Sequence, residues 1–135
     1  MKQATRLFVG AVGILGCAST QPFVLRSAPG SRDSLQCAET VLGDLGFELR
    51  RGERGAVMAE KRHELGPARA RRDFVTVEQV TGPDAENRFQ VRMASYSYEP
   101  PLAESRFPQQ AVSTIRATPE ALDAGERVLA ACERR

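Results

Sequence analysis

Between Asp73 and Tyr98 the chain carries its most constraining pattern, two β-forming stretches separated by turn chemistry. Phe74-Val75-Thr76-Val77 is dense in aromatic and β-branched residues, and Arg88 to Tyr98 alternates Phe89, Val91 and Met93 with Gln90 and Arg92. A period of two puts the apolar set on one face of a strand and the polar set on the other, whereas a helix would scatter both around its axis. Thr81 to Asn87, with Gly82-Pro83-Asp84 inside it, interrupts both stretches, so they are expected as an antiparallel hairpin. Glu99-Pro100-Pro101 ends its second strand. A hairpin of this kind has an apolar face that must be buried against another element.

The flanking sequence offers that cover. Ser34 to Leu45 places Leu35, Ala38, Val41, Leu42 and Leu45 at helical spacing, with Asp33 or Ser34 as the expected cap and Gly46 as the left-handed exit. Thr118-Pro119-Glu120 predicts a second helix start, because Thr caps, Pro is tolerated at the first helical position and Glu complements the dipole. That helix is expected to run to about Arg134, with Leu122, Gly125, Val128, Leu129 and Cys132 on its apolar face. Phe47 to Arg50 and Ala56 to Lys61, joined through Arg51-Gly52-Glu53-Arg54-Gly55, predict another hairpin. His63 to Arg72 reads as a loop, since Gly66 and Pro67 break regular elements, and Ala111 to Arg116 is a candidate short fifth strand. With 135 residues there is room for one core. The expectation is an α+β two-layer sandwich, about four antiparallel strands in two hairpins with the N- and C-terminal helices packed on one face, over residues 33–135 as a single domain.

The first residues have a different character. Lys2 and Arg6 precede Leu7 to Leu15, a short uncharged apolar run in the shape of a secretory signal. A spanning helix needs roughly 20 apolar residues, and this run meets Cys17, Ser19, Thr20 and Gln21 well before that. Ile14-Leu15-Gly16-Cys17 resembles the lipobox of bacterial lipoproteins, in which a small residue precedes a Cys that is acylated and becomes the new N-terminus. The resemblance covers only the leader. It implies a signal peptide over 1–16, a palmitate-type lipid anchor at Cys17 and, with Ala18 rather than Asp after the Cys, an address at the outer membrane facing the periplasm. Cleavage after Gly16-Cys17-Ala18, giving a soluble periplasmic or secreted protein, is the alternative. Residues 17–32, rich in Pro, Gly and small polar residues, are expected as a flexible tether, of which about fourteen residues reach about 45 Å at ~3.3 Å each. Phe23-Val24-Leu25 is alternatively an edge strand docked on the domain.

Three cysteines in an exported chain leave one without a partner. Lipidation of Cys17 accounts for it, and Cys37 with Cys132 then pair by default in an oxidising compartment. Neither has a CxxC neighbour, so this is read as a structural bond.

Charge narrows the partners further. Removing Lys2 and Arg6 from the 19 basic residues leaves 17 against 17 acidic ones, so the mature domain is formally neutral. Without an excess of positive charge it lacks the field that nonspecific nucleic-acid binding needs. Catalytic constellations are missing from the sequence. His63-Glu64 begins like a zinc-protease motif, but Pro67 occupies the position of the second His, and His63 is the only His available for any triad. Asp84, Glu86 and Asn87 lack the spacing of a calcium loop. No cofactor and no metal is expected. Arg69, Arg71 and Arg72 form the densest basic cluster and are the candidate anion-binding residues, with a solvated loop as the plainer reading. Tyr96 and Tyr98 share a strand face, either as part of a binding surface or packed under the Pro100-Pro101 turn. Together these readings predict a noncatalytic envelope lipoprotein, attached to a membrane through its N-terminal lipid and binding or supporting an envelope protein partner. The alternative is a periplasm-facing module for a small anionic ligand.

Overall fold

The central hairpin forms as its alternation predicts and organises everything else. In the computed structural model, which describes residues 22–84, 86–99 and 111–134, its strands are β4 (Arg69–Thr81) and β5 (Asn87–Glu99). They pair antiparallel from Ala70 opposite Tyr98 to Thr81 opposite Asn87. In chain order they are preceded by β1 (Val24–Pro29), α1 (Ser34–Asp44), β2 (Glu48–Arg51) and β3 (Val57–Gly66), and followed by β6 (Ala111–Ile115) and α2 (Pro119–Cys132). The result is an α+β fold built on a six-stranded antiparallel sheet of order β1-β5-β4-β3-β2, with β6 also on β5. β1 takes the Arg88–Met93 half of β5 and β6 the Ser95–Glu99 half, so two short strands share one edge of a long one.

Two expectations about strands need correction. The expected tether of residues 17–32 enters the sheet at Val24, and β1 occupies positions up to Pro29. The edge-strand alternative is therefore the better description of Val24 and Leu25. Ala28 supplies the reason, because it is buried in the core and anchors an otherwise exposed strand. The segment His63 to Arg72 is not a loop. β3 and β4 continue through it to a turn at Pro67 and Ala68, so the breaking effect of Gly66 and Pro67 is confined to the hairpin tip. Its polar residues suit a strand because ion pairs, not burial, satisfy them: Arg69 meets Glu99 at 2.9 Å and Arg72 meets Glu60 at 3.2 Å. With β1 and β6 added, the sheet has six strands among the described residues where about four were expected. The candidate strand at Ala111 to Arg116 is β6.

Both helices cover the face that carries Val57 and Ala59 of β3, Val75 and Val77 of β4, and Phe89, Val91 and Met93 of β5, all buried. Ala38 and Leu42 of α1 and Ala124, Val128 and Cys132 of α2 complete this core. Small residues let α2 settle closely, since a Cβ added at Gly125 would stand 2.2 Å from the Met93 sulfur. Each buried Val, Phe or Met side chain contributes roughly 1.5–3 kcal/mol.

The helix termini match expectation unevenly. Thr118 caps α2, its hydroxyl accepting from the Ala121 N–H at 3.2 Å, and Gly46 leaves α1 at φ +84°. Asp33 makes no side-chain cap at α1. Ser34 instead buries its hydroxyl, which donates to the Cys132 carbonyl at 3.2 Å and accepts from the Ser31 N–H at 2.9 Å. The same two regions are joined covalently. Cys37 and Cys132 form a disulfide with Cα atoms 5.6 Å apart, inside the range of roughly 4.4–6.8 Å that a bridge requires. Cys132 remains in the core stripe and still reaches Cys37, because α1 and α2 pack directly on each other.

Candidate binding surface

One face of the sheet is covered by helices, and the other carries an apolar groove. The alternation that buries Phe89, Val91 and Met93 turns Arg92, Ala94, Tyr96 and Tyr98 to the opposite side of β5. There they meet Phe74 and Thr76 of β4, Met58 of β3 and Val112 of β6, around an open cavity of about 390 Å³. That volume falls in the range of small-molecule sites. Met58 is 43% exposed and Val112 56%, so the groove leaves apolar surface in water. Its aromatic wall is ordered by ring contacts: Phe74 and Tyr96 meet edge-on with centroids 5.4 Å apart, and the Arg72 guanidinium lies 4.7 Å from the centre of the Tyr98 ring. Tyr96 and Tyr98 are half-buried and line this groove. The Pro100-Pro101 turn lies outside the described residues.

Among the described residues Arg92 is the only charged one lining the groove. Its guanidinium sits 4.4 Å from the Phe23 ring centre, just ahead of β1, and no ion pair to a carboxylate is formed among the described residues. Three other arginines of this face are paired. Arg72 is neutralised by Glu60, Arg88 contacts Glu86 at 3.4 Å, and Arg62 is paired with Glu64, whose hydrogen bond pushes the guanidinium further above its ordinary pKa.

The three arginines singled out in the sequence do not converge. Arg69 and Arg71 project to the helix-covered side of β4 and Arg72 to the open side, as strand alternation requires. Each already has a carboxylate: Glu99 for Arg69, Asp73 and Glu120 for Arg71, and Glu60 for Arg72. Arg72 alone adjoins the groove, through Tyr98.

A second polar cluster lies where the apolar core gives way near the start of α2. Asp73 is fully buried, and its Oδ1 accepts from Ser95 at 2.7 Å and from Thr118 at 2.8 Å. Its Oδ2 faces Arg71 Nη2 at 3.2 Å and His63 Nε2 at 3.1 Å. Glu120 brings a second carboxylate, 3.3 Å from Arg71 and 3.1 Å from His63, with Lys61 at 2.8 Å on its other oxygen. Neither carboxylate oxygen lies in line with the His63 ring N–H, so those contacts are close approaches rather than directed hydrogen bonds. His63, read from sequence as a residue without a role, is thus part of a network tying the β3–β4 hairpin to α2. Ligand atoms of His63, Asp73 and Glu120 all lie within 4.8 Å of one another, close enough for a metal ion. The cations that neutralise these carboxylates are the chain's own, since Arg71 and Lys61 already balance them. A divalent ion would have to displace Arg71 and leave its charge poorly compensated. The apolar groove is lined by other residues, so this cluster stands apart from it.

Sequence reasoning missed Arg92, Phe74, Met58 and Val112 as one surface. The signal was present in part, because the alternation that assigns Phe89 and Met93 to the core also assigns Arg92, Tyr96 and Tyr98 to the other face. That Met58 and Val112 join them depends on strand order and register. Cys17 and the lipobox lie outside the described residues, among which no helix is long and apolar enough to cross a membrane. Comparison with protein-family models, curated proteins and solved structures gives no match for this chain.

Proposed function

We propose that this chain is a noncatalytic envelope lipoprotein, held at a membrane through a lipid on Cys17, whose domain binds another envelope component on the open face of its sheet. The observation that carries this reading is the groove itself: a two-layer α+β domain covers one sheet face with both helices and leaves aromatic and apolar side chains on the other. The resemblance to a lipobox supplies the anchor, and an outer-membrane address facing the periplasm follows from Ala18. The Cys37–Cys132 disulfide is in keeping with an oxidising compartment. The position of β1 adds a geometric constraint. From Cys17 to Phe23 the chain can extend only about 20 Å at ~3.3 Å per residue, and Phe23 ends beside Arg92 at the groove. The anchor therefore holds the groove close to the membrane, not at the reach of a full tether.

Photo-crosslinking in cells tests the reading. A crosslinking residue at Thr76 or Val112, on the open face, is expected to trap an envelope component, while one at Asp123 or Arg127, on the outer side of α2, is not. Crosslinks from α2 alone would refute it. Incorporation of labelled palmitate that persists in a Cys17→Ser protein would refute the anchor.

A further inference from the structure

The groove has a chemistry more specific than apolar surface. We infer that it is a site for a monomeric amphipathic anion, with the apolar body lying on Met58, Phe74, Tyr96 and Val112 and the anionic head on Arg92. The inference rests on the open face being the binding face and names what that face takes. Charge complementarity carries it. Among the described residues Arg92 is the one charged group of the lining, and none of them gives it the carboxylate partner that Arg72, Arg62 and Arg88 possess. A guanidinium stacked on one aromatic face, as Arg92 is on Phe23, keeps its N–H edge free to donate, and a carboxylate or phosphate matches that edge with two parallel hydrogen bonds. The rest of the described lining is apolar or aromatic save for the hydroxyls of Thr76, Tyr96 and Tyr98, so it offers no second charge. Methionine and aromatic rings adapt to chains and flat rings alike. A cavity of about 390 Å³ limits the body to one short chain or a small ring system rather than a folded partner. The surrounding face mixes acidic and basic residues, among them Glu60, Glu64, Arg62 and Arg72, and this balance disfavours broad adsorption to an anionic membrane.

The test uses the mature chain from position 17 with its disulfide formed, carrying Cys17→Ser so that no acyl chain of its own competes. Dodecanoate and the neutral dodecan-1-ol are titrated separately, below the concentrations at which either aggregates, while the amide resonances of Ala94, Tyr96 and Val112 are followed. Dodecanoate is expected to bind at least about tenfold more tightly than the alcohol, the effect of one charge-assisted hydrogen bond. Arg92→Gln should remove that preference and leave the alcohol's affinity unchanged. Val112→Asp should weaken both ligands. Equal affinities, a preference that survives Arg92→Gln, or shifts confined to residues of α1 and α2 would each overturn the inference. So would adsorption to anionic vesicles without dodecanoate binding, or a dimer that Val112→Asp dissociates, because the face would then belong to a membrane or to a second copy. If dodecanoate fails to bind while open-face crosslinks persist in cells, the ligand chemistry is wrong and the binding face stands; if both fail, the face itself is wrong.

Discussion

Replacing Asp73 by Asn tests whether the network under α2 holds the sheet and helix together. The substitution keeps shape and burial and removes one charge. The Asn carbonyl can still accept from Ser95 and Thr118, which donate to Oδ1 at 2.7 and 2.8 Å. Its amide would then face Arg71 Nη2 and His63 Nε2, placing a donor where Oδ2 now faces the guanidinium and the imidazole at 3.2 and 3.1 Å. Removing one partner of a buried pair costs about 3–5 kcal/mol. A smaller loss than that range applies, since Arg71 and His63 keep Glu120 and their side chains are about a quarter exposed, which lets water screen them. The expected loss is about 2–3 kcal/mol, measured as a shift of the urea midpoint at constant slope. Arg71→Gln in the same background should cost less than it does alone, because the stranded cation is removed. An Asp73→Asn protein within about 0.5 kcal/mol of the parent, or strict additivity of the two changes, would refute the reasoning.

Other perturbations follow from the packing. Gly125→Ala should destabilise despite improving helix propensity by roughly 0.5–1 kcal/mol, since its Cβ would stand 2.5 Å from Met93 Cγ and overpacking costs about 1–3 kcal/mol. A lowered thermal midpoint that turns into a gain in a Met93→Ala background is the expected pattern; a raised midpoint in the parent background would mean that α2 sits farther from β5. Replacing Cys37 and Cys132 together by Ala should cost on the order of 4 kcal/mol by freeing a loop of 95 residues in the unfolded chain. Denaturation with and without reductant checks this, and unchanged stability would contradict the bond. Thr118→Val should remove the cap on Ala121 and one hydrogen bond to Asp73, lowering stability by about 1–2 kcal/mol, and full retention of stability by chemical denaturation would speak against that role.

The elements with strong local signals were legible in the sequence. The alternation of Phe89, Val91 and Met93, the spacing of Leu35, Ala38 and Leu42, and the Thr118-Pro119-Glu120 start each encode their own structure, and the Cys37–Cys132 pair followed from counting. What escaped was decided by distant partners. Arg69 to Arg72 carry no apolar pattern, and they become strand because Glu60 and Glu99 lie across the sheet. Leu25 and Arg26 are tether-like until β5 is there to pair with them. His63 looked idle because Asp73 and Glu120, which face it, come from another strand and a helix well along the chain. The groove is the same case on the open face, where its lining residues come from β3, β4, β5 and β6 and only register brings them together.

The central claim is that the open face is the occupied one in the envelope, and methionine oxidation reads this directly. Met58 stands on that face, 43% exposed, while Met93 is fully buried under α2 and serves as an internal control. Brief hydroxyl-radical exposure followed by mass analysis, on intact envelopes and on the purified chain, compares the two states. Met58 and Tyr98 are expected to be several-fold less oxidised in the envelope, with Met93 unreactive in both. Equal oxidation of Met58 and Tyr98 in envelope and purified protein would contradict it.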